Sequence, residues 1–183
     1  MGAMSGGIDL ERRYTLADLD DFPEDGRRYE LADGRLLVSP MARKLHQLGS
    51  QELGRALRDA CPPHLYVFGL PINVDDPDST HFEPDVTVVR RDLAKIENAD
   101  LPLLAVEVRS PSTASRDAVL KRREYARLGM PSYWMFDVDA PSLVVLELVD
   151  GDYVETARAT GDQSLTVTRP FPVTLNPAQL LTI

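Results

Sequence analysis

The chain has 183 residues, 43% of them hydrophobic and 27% charged, with a net charge of −9 and a pI near 4.8. This is ordinary globular usage at a length one core can organise, and so acidic a body lacks the overall Lys and Arg excess that nucleic-acid contact normally draws on. The single cysteine, Cys61, excludes an internal disulfide, and no apolar run approaches the roughly 20 residues of a membrane span. With no signal peptide or lipidation motif visible, the chain reads as a cytoplasmic protein that does not engage membranes. Met1-Gly2-Ala3-Met4 reads as a tag remnant, so residues 1–7 are set aside as a disordered start and residues 8–183 are taken as one domain.

In chain order, Arg28 to Pro40 predicts a hairpin around the Asp33-Gly34 turn signal. Leu45 to Ala60 carries apolar residues at near-helical spacing and is stopped by Pro62-Pro63. Strands are expected at Leu65 to Val74, Pro84 to Val89 and Leu103 to Arg109, with the acidic stretch Asp75 to Glu83 as loop. A second helix follows, with Ser112 to Ser115 offering N-cap choices and Gly129 placed for a left-handed C-terminal cap. Ser132 to Asp137 is a fourth strand, Leu143 to Ala157 a hairpin around Asp150-Gly151, and Ser164 to Thr168 one more strand. The expected class is α/β or α+β: a central mixed sheet flanked by helices, with extra hairpins at both ends.

Two of these strands contain acids where apolar residues would be expected. Side chains alternate across a strand, so Asp85 shares a face with Thr87, and Glu107 shares one with Ala105 and Arg109. If the strands are neighbours, the two carboxylates converge, and their repulsion raises one pKa unless a divalent cation neutralises them. Oxygen-only ligation suits Mg²⁺ or Mn²⁺, with a backbone carbonyl, placed at Val108, and waters completing the shell. His46, His64 and His81 lie in no zinc-ligand spacing.

Such chemistry also needs a cation near the attacking water or the developing charge. Arg109 could stabilise charge but is never a base. Lys121 stands in the helix at i,i+4 spacing from both Asp117 and Tyr125, and it is the favoured residue because a lysine's pKa responds to burial. By itself, Lys121 with Asp117 is no more than a helical ion pair. From Arg109 to Arg127 six basic residues face only Asp117 and Glu124, which makes either a basic strip or a helix face laced with ion pairs.

The residues Pro84-Asp85, then Ala105-Val106-Glu107-Val108-Arg109-Ser110-Pro111-Ser112-Thr113, then Asp117, Lys121, Tyr125, Gly129 and Tyr133 to Asp137 resemble the Uma-type restriction endonuclease family. This is a branch of the PD-(D/E)XK, restriction endonuclease-like superfamily. Tyr29-Glu30-Leu31 with Asp33-Gly34, Pro40 and His46 is similar to the family's leading segment, so the likeness runs from about Tyr14 onward. It implies a core of helix, three strands, helix and strand, divalent-metal-dependent phosphodiester hydrolysis acting on DNA, and a homodimer. It assigns Asp85 and Glu107 as the carboxylates and Lys121 as the migrated lysine, since Arg109 stands where the strict superfamily pattern has Lys. Glu30 and His46 match recurring family positions, with their roles left open; from the residues alone, His46 reads as a helix-start or packing histidine and Tyr125 as core.

Three functions follow: a metal-dependent DNA endonuclease; a non-catalytic dimerising or nucleic-acid-binding relative of the same fold, supported by the acidity and Arg109; and, weakest, a glycoside hydrolase using the two acids.

Overall fold

The structure, a computed structural model, describes residues 8–69, 73–76, 79–92, 101–109 and 115–182, with side chains from 118 onward in the last segment and without that of Asp76. The expected start at 1–7, the N-cap choices Ser112 and Thr113, and the side chain of Asp117 lie outside the described residues.

A short helix α1 (Leu16–Leu19) precedes the hairpin β1 (Arg28–Ala32) and β2 (Arg35–Ser39). Asp33 and Gly34 both take positive φ, at 50° and 71°, the backbone a two-residue turn between twisted strands needs. Helix α2 (Lys44–Ala60) buries Gly49, Leu53, Gly54 and Leu57. Its glycines are a packing device: a Cβ on Gly49 would stand 2.5 Å from Val138 Cγ1.

Next come β3 (Leu65–Phe68), β4 (Val74–Asp76), β5 (Thr80–Phe82), β6 (Val86–Arg90) and β7 (Leu104–Arg109). The acidic stretch expected to be loop therefore contains strands. Val74 and Phe82 are buried, and β4 and β5 pair with each other while β5 also pairs with β1. The expected long strand from Leu65 ends at Phe68, and Leu70 to Ile72 lie outside the described residues.

Helix α3 (Ser115–Arg127) is closed by Gly129 at φ 80°, with the Met130 amide reaching back to the Tyr125 carbonyl at 2.9 Å. It leads to β8 (Ser132–Asp137), parallel to β7, and then to the antiparallel hairpin β9 (Ser142–Val149) and β10 (Asp152–Thr160). The pair β11 (Leu165–Val167) and β12 (Val173–Leu175) follows, and then a short 3-10 helix at Gln179–Leu181.

One sheet runs β10-β9-β8-β7-β6-β3 and a smaller one β2-β1-β5-β4. The core order expected from the sequence, helix, three strands, helix and strand, is α2, β3, β6, β7, α3 and β8, with β4 and β5 inserted. One face of the large sheet packs Val86, Val106, Trp134 and Phe136 with Leu53 and Leu57 of α2. On the opposite side, Ala105 and Tyr133 pack with Tyr125 of α3 and with Phe82 and Leu37 of the small sheet. The alternation of β7 sends Val106 to the first layer and Ala105, hence Glu107, to the second. No helix among the described residues is long and apolar enough to cross a membrane.

Candidate active site

Antiparallel pairing sets Val86 opposite Val106, which places Asp85 beside Glu107 at the end of the strands. The Asp85 amide donates to the Val106 carbonyl at 2.9 Å, and the Val108 amide donates to Asp85 Oδ2 at 2.8 Å. Asp85, Glu107, Val108 and Lys121 line one cleft of about 940 Å³, walled on its other side by α1, the chain before β1 and the segment leading into α2.

Around Glu107 the site is closed and charged. Lys121 Nζ lies 2.9 Å from Glu107 Oε1 and 2.7 Å from Glu30 Oε2, and the Tyr125 hydroxyl donates to the same Glu107 Oε1 at 2.9 Å. Lys121 and Tyr125 thus form the i,i+4 stripe expected of the helix. Glu30 is buried and also accepts the Glu83 amide at 2.9 Å, so it serves as the second anchor of the lysine. Burial pushes the Glu107 carboxyl up to about 7; Lys121 opposes the shift, and the neighbouring Glu30 and Asp85 charges add to it. Burial works against charge on Lys121 as well, but Glu107 and Glu30 together outweigh it and raise its pKa. One ammonium shared between two carboxylates gains from both, while each carboxylate gains only a share. Lys121 is therefore a permanent cation, able to orient and stabilise charge and not to act as a base.

Asp85 is handled differently. Burial again opposes its charge, but His46, Arg28 and the Val108 amide overcome it and lower the pKa. His46 Nε2 stands 3.3 Å from Asp85 Oδ2, which gives a partner to a residue that read as packing. Arg28, absent from the residues picked out in the sequence, directs both terminal nitrogens at Asp85 Oδ1, each at 3.3 Å. Its signal was its place two residues before Glu30 on β1, whose alternation puts both on one face.

Arg109 does not join this group among the described contacts: its Nη1 reaches Met135 Sδ at 4.0 Å. The basic helix residues are largely engaged internally, with Arg122 on the Tyr153 carbonyl, Arg123 on Glu124, and Arg127 on Glu124 and Thr80. The ion-pair reading of that helix face therefore describes it better than a free basic strip. His81, further along the cleft, sits between Asp75 at 2.7 Å and Glu83 at 3.7 Å.

The donor chemistry fits a hard cation. Among the described residues no group of three or more His, Cys, Asp or Glu side chains is placed to hold a metal ion, so side chains alone would supply at most two ligands here. The two carboxylates lining the cleft, Asp85 and Glu107, make an oxygen-only pair, the kind of partial ligand set with which Mg²⁺ retains most of its waters. Among the described residues, the Lys121 and Tyr125 contacts to Glu107 both fall on Oε1.

Residues 16–182 match the Uma2 family, described as "Putative restriction endonuclease". The fold is similar to that of a solved structure from Anabaena variabilis ATCC 29413 described as "a putative nuclease belonging to DUF820", with a TM-score of 0.69 over 92% of this chain and 99% of that one. At 18% identity the likeness is one of fold. No curated protein matches the chain.

Proposed function

The chain belongs to the Uma2 family of restriction endonuclease-like proteins, and from that membership we propose that it is a divalent-metal-dependent endonuclease hydrolysing DNA phosphodiester bonds. The observation that carries the proposal is the cleft in which Asp85 and Glu107 meet across β6 and β7 with Lys121 held 2.9 Å from Glu107. In this reading Asp85, Glu107 and the Val108 backbone carbonyl hold Mg²⁺ or Mn²⁺. When bound, the ion polarises a phosphoryl oxygen and lowers the pKa of a bound water.

The chain's own groups do the rest. Lys121 fixes the Glu107 carboxylate and, as a permanent cation, stabilises the charge that develops on the phosphoryl oxygens. Tyr125 fixes the same oxygen from the next turn of α3. Arg27, Arg28 and Arg43, all lining the cleft, supply phosphate contacts that the acidic body otherwise lacks. A homodimer is part of the proposal, and sedimentation equilibrium checks it.

The test is calorimetric titration with Mn²⁺ and Mg²⁺ of wild type, Asp85→Ala and Glu107→Ala, with circular dichroism to establish that all three fold, followed by cutting assays on plasmid, linear and single-stranded DNA. Binding by wild type alone, and cutting that depends on the ion, is the expected result. A folded wild type that binds neither ion, even with DNA present, overturns the nuclease reading and leaves the non-catalytic dimerising or nucleic-acid-binding relative, which the net charge of −9 favours.

A further inference from the structure

Arg28 and Asp85 form an ion pair of an unequal kind. Asp85 Oδ2 is held firmly by the Val108 amide at 2.8 Å, whereas Oδ1 receives two guanidinium nitrogens at 3.3 Å, long for a charge-assisted contact. Arg28 does not depend on that oxygen for its position. Its Nη1 also donates to the Glu83 carbonyl at 3.0 Å, and its Nε lies 3.5 Å from Glu83 Oε2. The side chain retains 24% exposure and lines the cleft. The guanidinium is thus anchored from β5's end of the small sheet and presents its outer edge to one exchangeable carboxylate oxygen.

A divalent cation taking Oδ1 would stand within a few ångströms of a fixed guanidinium. The repulsion weakens cation binding unless an anion comes between them, and a planar fork of N–H donors is suited to a phosphodiester. We propose that Arg28 couples cation occupancy at Asp85 to the presence of a phosphodiester: it holds the cation site weak on its own and strengthens it when a backbone phosphate accepts the guanidinium. By linkage, the cation strengthens phosphate binding by the same factor. This inference rests on the metal-dependent reading above and extends it to a residue that gates metal loading by substrate.

The experiment is Mn²⁺ titration of wild type and Arg28→Met, each alone and with an uncut phosphorothioate oligonucleotide, with Arg28→Gln as a second variant should Arg28→Met fail to fold. Without DNA the variant binds Mn²⁺ about tenfold more tightly than wild type, since a competing positive charge has gone. With the oligonucleotide, wild type gains about tenfold in Mn²⁺ affinity and the variant gains little. A merely structural role for Arg28 would weaken Mn²⁺ binding in the variant. Wild type that binds Mn²⁺ while the variant binds it equally or more weakly overturns this inference alone; wild type that never binds Mn²⁺ overturns the metal reading and this inference together.

Discussion

Asp85, just before β6, and Glu107 of β7 are neighbours, both buried, and their environments drive them in opposite directions. Asp85 faces an arginine and a histidine and is held charged; Glu107 shares one lysine with a second carboxylate and is pushed up to about 7. The difference lies in how the partners of each acid are shared: Asp85 has the Arg28 guanidinium, the His46 ring and the Val108 amide around it, whereas Glu107 shares Lys121 with Glu30. A pair of acids held apart in this way favours the ionised form of Asp85 and leaves Glu107 able to exchange a proton near neutrality.

The sharpest way to break the comparison is to remove the shared cation. Lys121→Met leaves Glu30 and Glu107 facing each other without a counter-charge, and denaturant unfolding at pH 7.5 is expected to show a loss of about 3–5 kcal/mol. A loss below about 1 kcal/mol would mean that the lysine is a surface-type pair and that Glu107 is not confined as described.

Next in size is the dependence on pH. Glu107 in the folded chain titrates at about 7 against an ordinary value of 4.5. Between these values the folded state binds more protons than the unfolded one. This group's contribution is therefore fully present below about 4.5, falls as pH rises through about 7, and amounts to about 3 kcal/mol at most. Asp85 has the opposite sign: its stabilisation is present above its ordinary value of 3.8 and is lost as pH falls further. Urea midpoints measured from pH 4 to 8 are expected to decline toward the alkaline end in wild type and to decline less in Glu107→Gln. Parallel profiles for the two proteins would erase the asymmetry.

The smallest effect sharpens the Glu107 half alone. Tyr125→Phe removes one neutral donor from Glu107 Oε1, which is expected to cost about 1 kcal/mol and to move the alkaline decline to higher pH. A Tyr125→Phe profile superimposed on wild type would show that the hydroxyl bond is not made to the ionised carboxylate.

Much of this was legible in the sequence. The two Asp-Gly turns specified their hairpins because few residue pairs accept positive φ, and the acids of β6 and β7 stood out because apolar strands rarely carry them. The Lys121 and Tyr125 stripe followed from helical spacing. Three things were hidden. Strands β4 and β5 are short and polar, with only Val74 and Phe82 buried as large apolar residues among their six, so they carried no alternating apolar pattern. Arg28 lies 57 residues from its carboxylate, and the one local hint, its place two residues before Glu30 on β1, does not identify Asp85 as the partner. His46 resembled a helix-start residue because its partner arrives from the far strand. The basic count of α3 left two readings open for the related reason that the partners of its arginines, Glu124 and the Tyr153 carbonyl of β10, cannot be read from the count.

The docking of the small sheet has a consequence for how the protein can come apart. Arg28 and Glu30 both ride on β1, while Asp85, Glu107 and Lys121 belong to β6, β7 and α3 or their margins. An excursion that lifts the hairpin away strips Asp85 of one cation and gives Lys121 wholly to Glu107 in the same stroke. The charged centre therefore has no half-assembled form that preserves its titration behaviour. Hydrogen exchange at the β1 amides would time its dismantling as faithfully as any assay of the cleft itself.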